Sequence, residues 1–154
     1  MQYSAGIIPF RINEENKMEF FVGHPGGKKW EKQDYWALLK GGVENDEDWL
    51  TTAIREFKEE SSFSLDEYNK KSFIPLGSVI QNPRKIVVAY GIYCPHIIES
   101  ECYSNIADNG LNPEIDRYRW MTYDVLKEKT HKKHLIFYEK LIESDVIPTT
   151  SQPT

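Results

Sequence analysis

The sequence predicts an α/β fold, a mixed β-sheet covered by helices, and three observations carry that reading. Two pairs of short runs rich in β-branched and aromatic residues, 4–11 with 19–24 and 73–81 with 85–94, are each joined by a polar turn and read as hairpins. One amphipathic helix lies between the hairpins and ends near residue 61. A second helix-patterned stretch, 131–143, follows the last strand.

Taken in order, residues 4–11 form an apolar run that ends in the polar turn INEENK, and residues 19–24 return as its partner. Residues 24–34, HPGGKKWEKQD, carry the Pro and Gly punctuation of a loop, after which 35–39 are strand-like again. Asn45 and Asp46 stand where they can cap the central helix, with Asp46, Glu47 and Asp48 against the positive end of its dipole. Asn82, Pro83 and Arg84 turn the second hairpin. A polar excursion over 99–113 leads into a short strand, 117–122, that carries Trp120. Thr122 is placed to cap a short helix over 123–129, and Leu135, Ile136, Tyr138, Leu141 and Ile142 recur at helical spacing beyond it. Residues 1–147 are expected to form a single domain, and the tail 148–154 is expected to fray.

A chain of 154 residues with 40% hydrophobic content suits one packed core. No apolar run approaches the roughly 20 residues that span a bilayer, and no basic region precedes the apolar start, so a secretory signal is not expected and cytoplasm is the default compartment. Cys94 and Cys102 are too few for a disulfide framework and read as reduced thiols. The net charge of −5 argues against a broad surface for extended nucleic acid. A small anionic substrate stays compatible with it, given a cation to neutralise the substrate locally.

That cation has an evident seat. The stretch 41–63 reads GGVENDEDWLTTAIREFKEESSF, and on a helix Glu56, Glu59 and Glu60 fall within roughly a 100° arc. Trp49, Leu50, Ala53, Ile54 and Phe57 cluster on the neighbouring arc. Like charges at this spacing repel, and hard divalent ions with oxygen ligands are the natural compensation. EFKEE alone would read as a solvated acidic face. Gly41, Gly42, the lone Glu47 and the order REFKEE outweigh that reading.

The stretch closely resembles the Nudix hydrolase signature, with Gly41, Glu47, Arg55, Glu56, Phe57, Glu59, Glu60 and Phe63 on its constrained positions. The departure is Ser62, where the pattern has glycine. A non-glycine residue pays on the order of 1 kcal/mol or more in the left-handed cap, so Ser62 is expected to leave the helix by another backbone path. SAGIIPFR, VGHPGGKKW and PEIDRYRW also resemble a bacterial subgroup of predicted nucleotide pyrophosphohydrolases.

The resemblance implies a Nudix-type α/β/α sandwich around a mixed sheet and hydrolysis of a phosphoanhydride bond in a nucleoside diphosphate linked to another group, of the nucleoside triphosphate or dinucleoside polyphosphate type. It also implies Mg²⁺ or Mn²⁺, a small-molecule nucleotide partner, no membrane, and a monomer or homodimer. By position Glu56, Glu59 and Glu60 would be the metal ligands, with a carbonyl near Lys40 or Gly41 beside them. Arg55 would orient the glutamates and Glu47 would steady Arg55. The general base is Glu56 or a later acid, Glu114 ahead of Asp116. Lys28, Lys29, Lys40, Arg84 and Lys85 are the cations placed to meet phosphates, and Trp30, Tyr35 and Trp36 the rings placed to stack on a base. His24 reads as a structural polar residue, and His131 with His134 as a solvated helix face lacking a third ligand. Two other functions on the same fold are a non-catalytic nucleotide sensor, against which the intact REFKEE counts, and a prenyl diphosphate isomerase. The isomerase would need a protonating group for which the resemblance offers no clear cysteine or tyrosine.

Overall fold

A computed structural model describes residues 1–107 and 110–144, so the tail at 148–154 lies outside the described residues. Its centre is β1 (Gln2–Ile12), whose residues 4–10 are all buried. An almost unbroken apolar strand of this kind belongs between two covered faces. On one face Ala5 and Ile7 pack with Ala53 and Phe57 of α1 (Trp49–Ser61). On the other, Ile8 and Phe10 pack with Leu126 of α2 (Tyr123–Leu126) and with Phe137, Tyr138 and Leu141 of α3 (Leu135–Glu143). The period-2 alternation along β1 thus serves two cores, and the result is the expected α/β/α sandwich.

The sheet has six strands in the order β4-β5-β1-β2-β6, with β3 also paired to β1. β2 (Met18–Pro25) pairs antiparallel with the far half of β1, Phe10 opposite Phe20, while β3 (Leu39–Gly42) takes the near half, Ser4 opposite Gly42. β4 (Ile74–Asn82) and β5 (Lys85–Tyr93) form the second hairpin, β5 runs parallel to β1, and β6 (Ile115–Thr122) pairs antiparallel with β2. This single parallel pairing makes the sheet mixed and sets the start of β5 beside the start of β1, Lys85 opposite Gln2. Among the described residues no helix is long and apolar enough to cross a membrane.

Several local expectations are corrected. Asp48, not Asn45 or Asp46, caps α1, its side chain accepting from the Thr51 amide at 2.8 Å. Asn45 and Asp46 instead hold φ of 44° and 63° in the preceding loop, a conformation their short polar side chains tolerate. The strand expected from residue 35 begins at Leu39, and residues 35–38 contribute a lone bridge, Gly23 to Ala37. Trp49, expected on the packed arc, is 46% exposed and stacks on Tyr3 at 5.9 Å. Thr122 sits at the start of α2 without a side-chain capping bond, and α2 is a single turn. Ser62 takes the left-handed cap itself, φ 65°, its amide donating to the Lys58 carbonyl at 2.8 Å. Its hydroxyl donates to the Tyr103 carbonyl at 2.8 Å, a bond that offsets part of the strain and that glycine lacks.

Candidate functional site

Arg55 organises the acidic surface of α1. Its Nε and Nη2 donate to the two oxygens of Glu47, each at 2.9 Å, the fork-on-carboxylate geometry that a planar guanidinium makes best. Nη1 reaches Glu56 at 2.9 Å and Glu59 at 3.1 Å, and Nη2 also donates to the Gly42 carbonyl at 3.1 Å. Glu47 is fixed in turn by the Thr52 hydroxyl at 2.8 Å and the Glu44 amide at 3.2 Å. These bonds hold the Glu47 carboxyl down at about 2, with Arg55 the largest cause, and push the guanidinium up. One cation therefore joins three carboxylates to the β3 backbone.

Gly41 belongs to the same assembly. A Cβ on it would lie 2.0 Å from the carboxyl carbon of Glu56, so the glycine makes room for the glutamate. Glu56 and Glu60 are buried, whereas the Glu59 side chain is 41% exposed. Burial raises Glu56 above the usual carboxylate range, with Arg55 opposing and the Glu59 and Glu114 charges adding to it. Glu60 is raised further, first by burial, then by the Glu56 charge and by a hydrogen bond to the Glu114 carboxyl. The Tyr118 hydroxyl ties β6 to the end of α1 by donating to the Glu60 carbonyl at 2.5 Å.

Glu60 and Glu114 open onto a cleft of about 480 Å³ that Lys40, Lys85, Gln81 and His131 also line. Burial and the charge of Lys85 bring Lys40 down to about 8, with Glu60 and Glu56 opposing. Trp30 and Tyr35 stack on each other at 4.9 Å along the same cleft, and Lys29 lies 5.0 Å over the Trp30 ring. Of the cations read from the sequence, Lys29, Lys40 and Lys85 line this space. Lys28 and Arg84 are exposed neighbours outside its lining, and Arg84 spends its carbonyl on the Gln2 amide at 2.8 Å.

Three residues read from the sequence have other duties. Trp36 is buried in the core rather than available for stacking. Asp116 accepts from Nδ1 of the buried His24 at 2.7 Å, while His24 Nε2 meets the Gln33 carbonyl at 2.7 Å. His24 thus pins the 26–38 loop to β6, and of the two late acids Glu114 is the one that faces the cleft. His134 is 0% exposed, against the solvated face expected for it, and burial holds its ring down at about 3. It lies one turn before Phe137 and Tyr138 on the apolar stripe, a signal present in the sequence. Gln81, bonded to His134 at 2.8 Å, carried no such mark.

The donor set suits a hard divalent ion: clustered carboxylates, two of them buried and driven toward protonation first by burial and then by neighbouring carboxylates. Among the described residues no three His, Cys, Asp or Glu side chains already stand as a closed ligand set, and Glu59 is turned to Arg55. Cys94 and Cys102 are free thiols, Cys94 buried with the Tyr68 hydroxyl 3.1 Å from its sulfur.

A family model described as the NUDIX domain matches residues 2–141. No curated protein sequence matches the chain. Among solved structures, a C. elegans Ap4A hydrolase in a binary complex superposes with a TM-score of 0.63 at 17% identity, covering 92% of this chain and 98% of its own. The NUDIX domain of Shewanella oneidensis NrtR complexed with ADP ribose gives 0.65 at 13%, covering 91% and 87%. A MutT protein from Methanosarcina mazei Go1 gives 0.60 at 16%, covering 92% of each chain. At these identities the likeness is one of fold.

Proposed function

The chain belongs to the NUDIX domain family, that of the Nudix pyrophosphohydrolases, and on that premise we propose that it hydrolyses a phosphoanhydride bond in a nucleoside triphosphate or dinucleoside polyphosphate, assisted by Mg²⁺ or Mn²⁺. The observation that carries the reading is the cleft that Glu60, Glu114 and Lys40 line together. Such a cleft offers carboxylates for a cation and a proton, and a cation for phosphate.

Glu56, Glu59 and Glu60 would hold the divalent ion, which when bound neutralises phosphate oxygens and polarises water. Arg55, steadied by Glu47, keeps Glu56 and Glu59 oriented. Glu114 is assigned to accept the proton of the attacking water: it faces the cleft, whereas an oxygen of Glu56 is already engaged by Arg55. Lys40 meets the phosphate chain, and the stacked Trp30 and Tyr35 offer a ring face to the base.

The test is phosphate or pyrophosphate release from a nucleotide panel with Mg²⁺ or Mn²⁺ against EDTA. Glu59→Gln and Glu60→Gln are each expected to lower turnover by about 100-fold, as loss of a metal-supporting group does. Undiminished activity in both variants would sink the assignment. Thermal stabilisation by nucleotides without turnover would move the chain to the sensor class.

A further inference from the structure

Gln81 sits where β4 departs from regular pairing with β5: Ile80 is opposite Ile86 and Asn82 opposite Lys85, which leaves Gln81 as the extra residue of a bulge. Bulges re-aim a side chain, and this one brings Gln81 to the wall of the cleft beside Lys40 and Lys85. Its carboxamide oxygen lies 2.8 Å from Nε2 of His134. His134 is buried and neutral, and its Nδ1 has no hydrogen-bond partner. A neutral ring carries one proton, and an orphaned N–H costs more than a bare lone pair. The proton therefore sits on Nε2 and is donated to Gln81 Oε1. With its oxygen committed to His134, Gln81 presents its NH₂ group, which has no acceptor among the described residues.

We propose that Gln81 is a substrate-binding residue whose carboxamide nitrogen donates to a phosphoryl oxygen held between Lys40 and Lys85, and that His134 is the positioning residue that aims it. Two lysines and a neutral donor in the cleft that Glu60 and Glu114 also line offer more anion binding than the scissile anhydride alone requires. The ligand class is accordingly a chain of three or more phosphates, in preference to a two-phosphate sugar nucleotide.

This inference rests on the pyrophosphohydrolase reading for its biological meaning, yet it can be tested without hydrolysis. Binding of inorganic tripolyphosphate in EDTA is measured by calorimetry for the wild type, Gln81→Met, Gln81→Glu, His134→Asn and the Gln81→Met/His134→Asn double variant. Gln81→Met is expected to weaken binding about tenfold, the scale of one hydrogen bond to a charged acceptor, and Gln81→Glu to weaken it more. His134→Asn should cost less than Gln81→Met and add nothing to it in the double variant, a coupling that a general loss of structure would not give. In turnover, the ATP to ADP-ribose ratio of kcat/KM should fall in Gln81→Met through KM. Tripolyphosphate bound equally by wild type and Gln81→Met, additive losses in the double variant, or no binding to the wild type would each overturn the proposal. Absence of turnover on every nucleotide, with the binding pattern intact, would instead strike the enzymatic reading alone.

Discussion

The acidic cluster on α1 and the cationic lining of the cleft are built in opposite ways. The acidic cluster comes from one short stretch of chain, in which Arg55 binds Glu47, Glu56 and Glu59 and the β3 carbonyl of Gly42, and it reaches the cleft through Glu60. The cationic lining is gathered from distant segments, Lys40 on β3, Gln81 on β4 and Lys85 on β5, with His134 ahead of α3 bonded to Gln81 from beneath. The first is held by charge, at an accessible surface where each carboxylate keeps a partner. The second is held by burial, a neutral imidazole under the surface fixing one amide above it. Charge tolerates motion and solvent, whereas the buried contact depends on close packing to keep its geometry.

The contrast can be broken from either side. Gly41→Ala should have the largest effect, because the new Cβ would stand 2.0 Å from the Glu56 carboxyl carbon and must displace it. A displacement on the ångström scale at the reacting groups costs on the order of 100-fold, read as kcat of the purified variant on its best nucleotide.

The buried side should answer to pH. His134 titrates at about 3 in the fold against an ordinary 6.5, so below 6.5 the unfolded chain takes a proton that the folded ring refuses. Its contribution to stability is complete above pH 6.5 and is lost as the pH falls toward 3, by about 2 kcal/mol at pH 5. Urea denaturation at both pH values should show that loss in wild type, with His134→Asn reducing the difference. Equal unfolding free energies at the two pH values would mean that the ring is not buried neutral.

Arg55→Lys comes next. A point charge cannot grip Glu47 with two bonds while reaching Glu56 and Glu59, so activity should drop about tenfold with the melting temperature nearly kept. Ser62→Gly is the smallest change. Relief of the left-handed strain, about 1–2 kcal/mol, is set against loss of the bond to the Tyr103 carbonyl, about 1 kcal/mol, so thermal unfolding should shift slightly upward.

Much of the fold was legible because alternation and helical spacing are local properties. Both hairpins, the helix ending at Ser61 and the closing helix follow from patterns a few residues long. The cap at Asp48 was misplaced by proximity, since Asn45 and Asp46 are equally good capping types and the difference lay in a loop that takes left-handed backbone angles at both. Trp36 was read as a stacking ring because type alone does not distinguish a core aromatic from a cleft aromatic. The choice between Glu114 and Asp116 turned on His24, which is far away in sequence and engages Asp116.

By itself the sequence determined the layered fold and the cluster Gly41, Glu47, Arg55, Glu56, Glu59 and Glu60, because a helix of fixed pitch converts spacing directly into shared direction. The tertiary structure alone decided which lysines share a wall, that Gln81 turns inward at a bulge, and that His134 lies beneath it without charge. Those facts depend on strand register and on burial, and both are set by contacts between segments whose separation along the chain carries no angle to read.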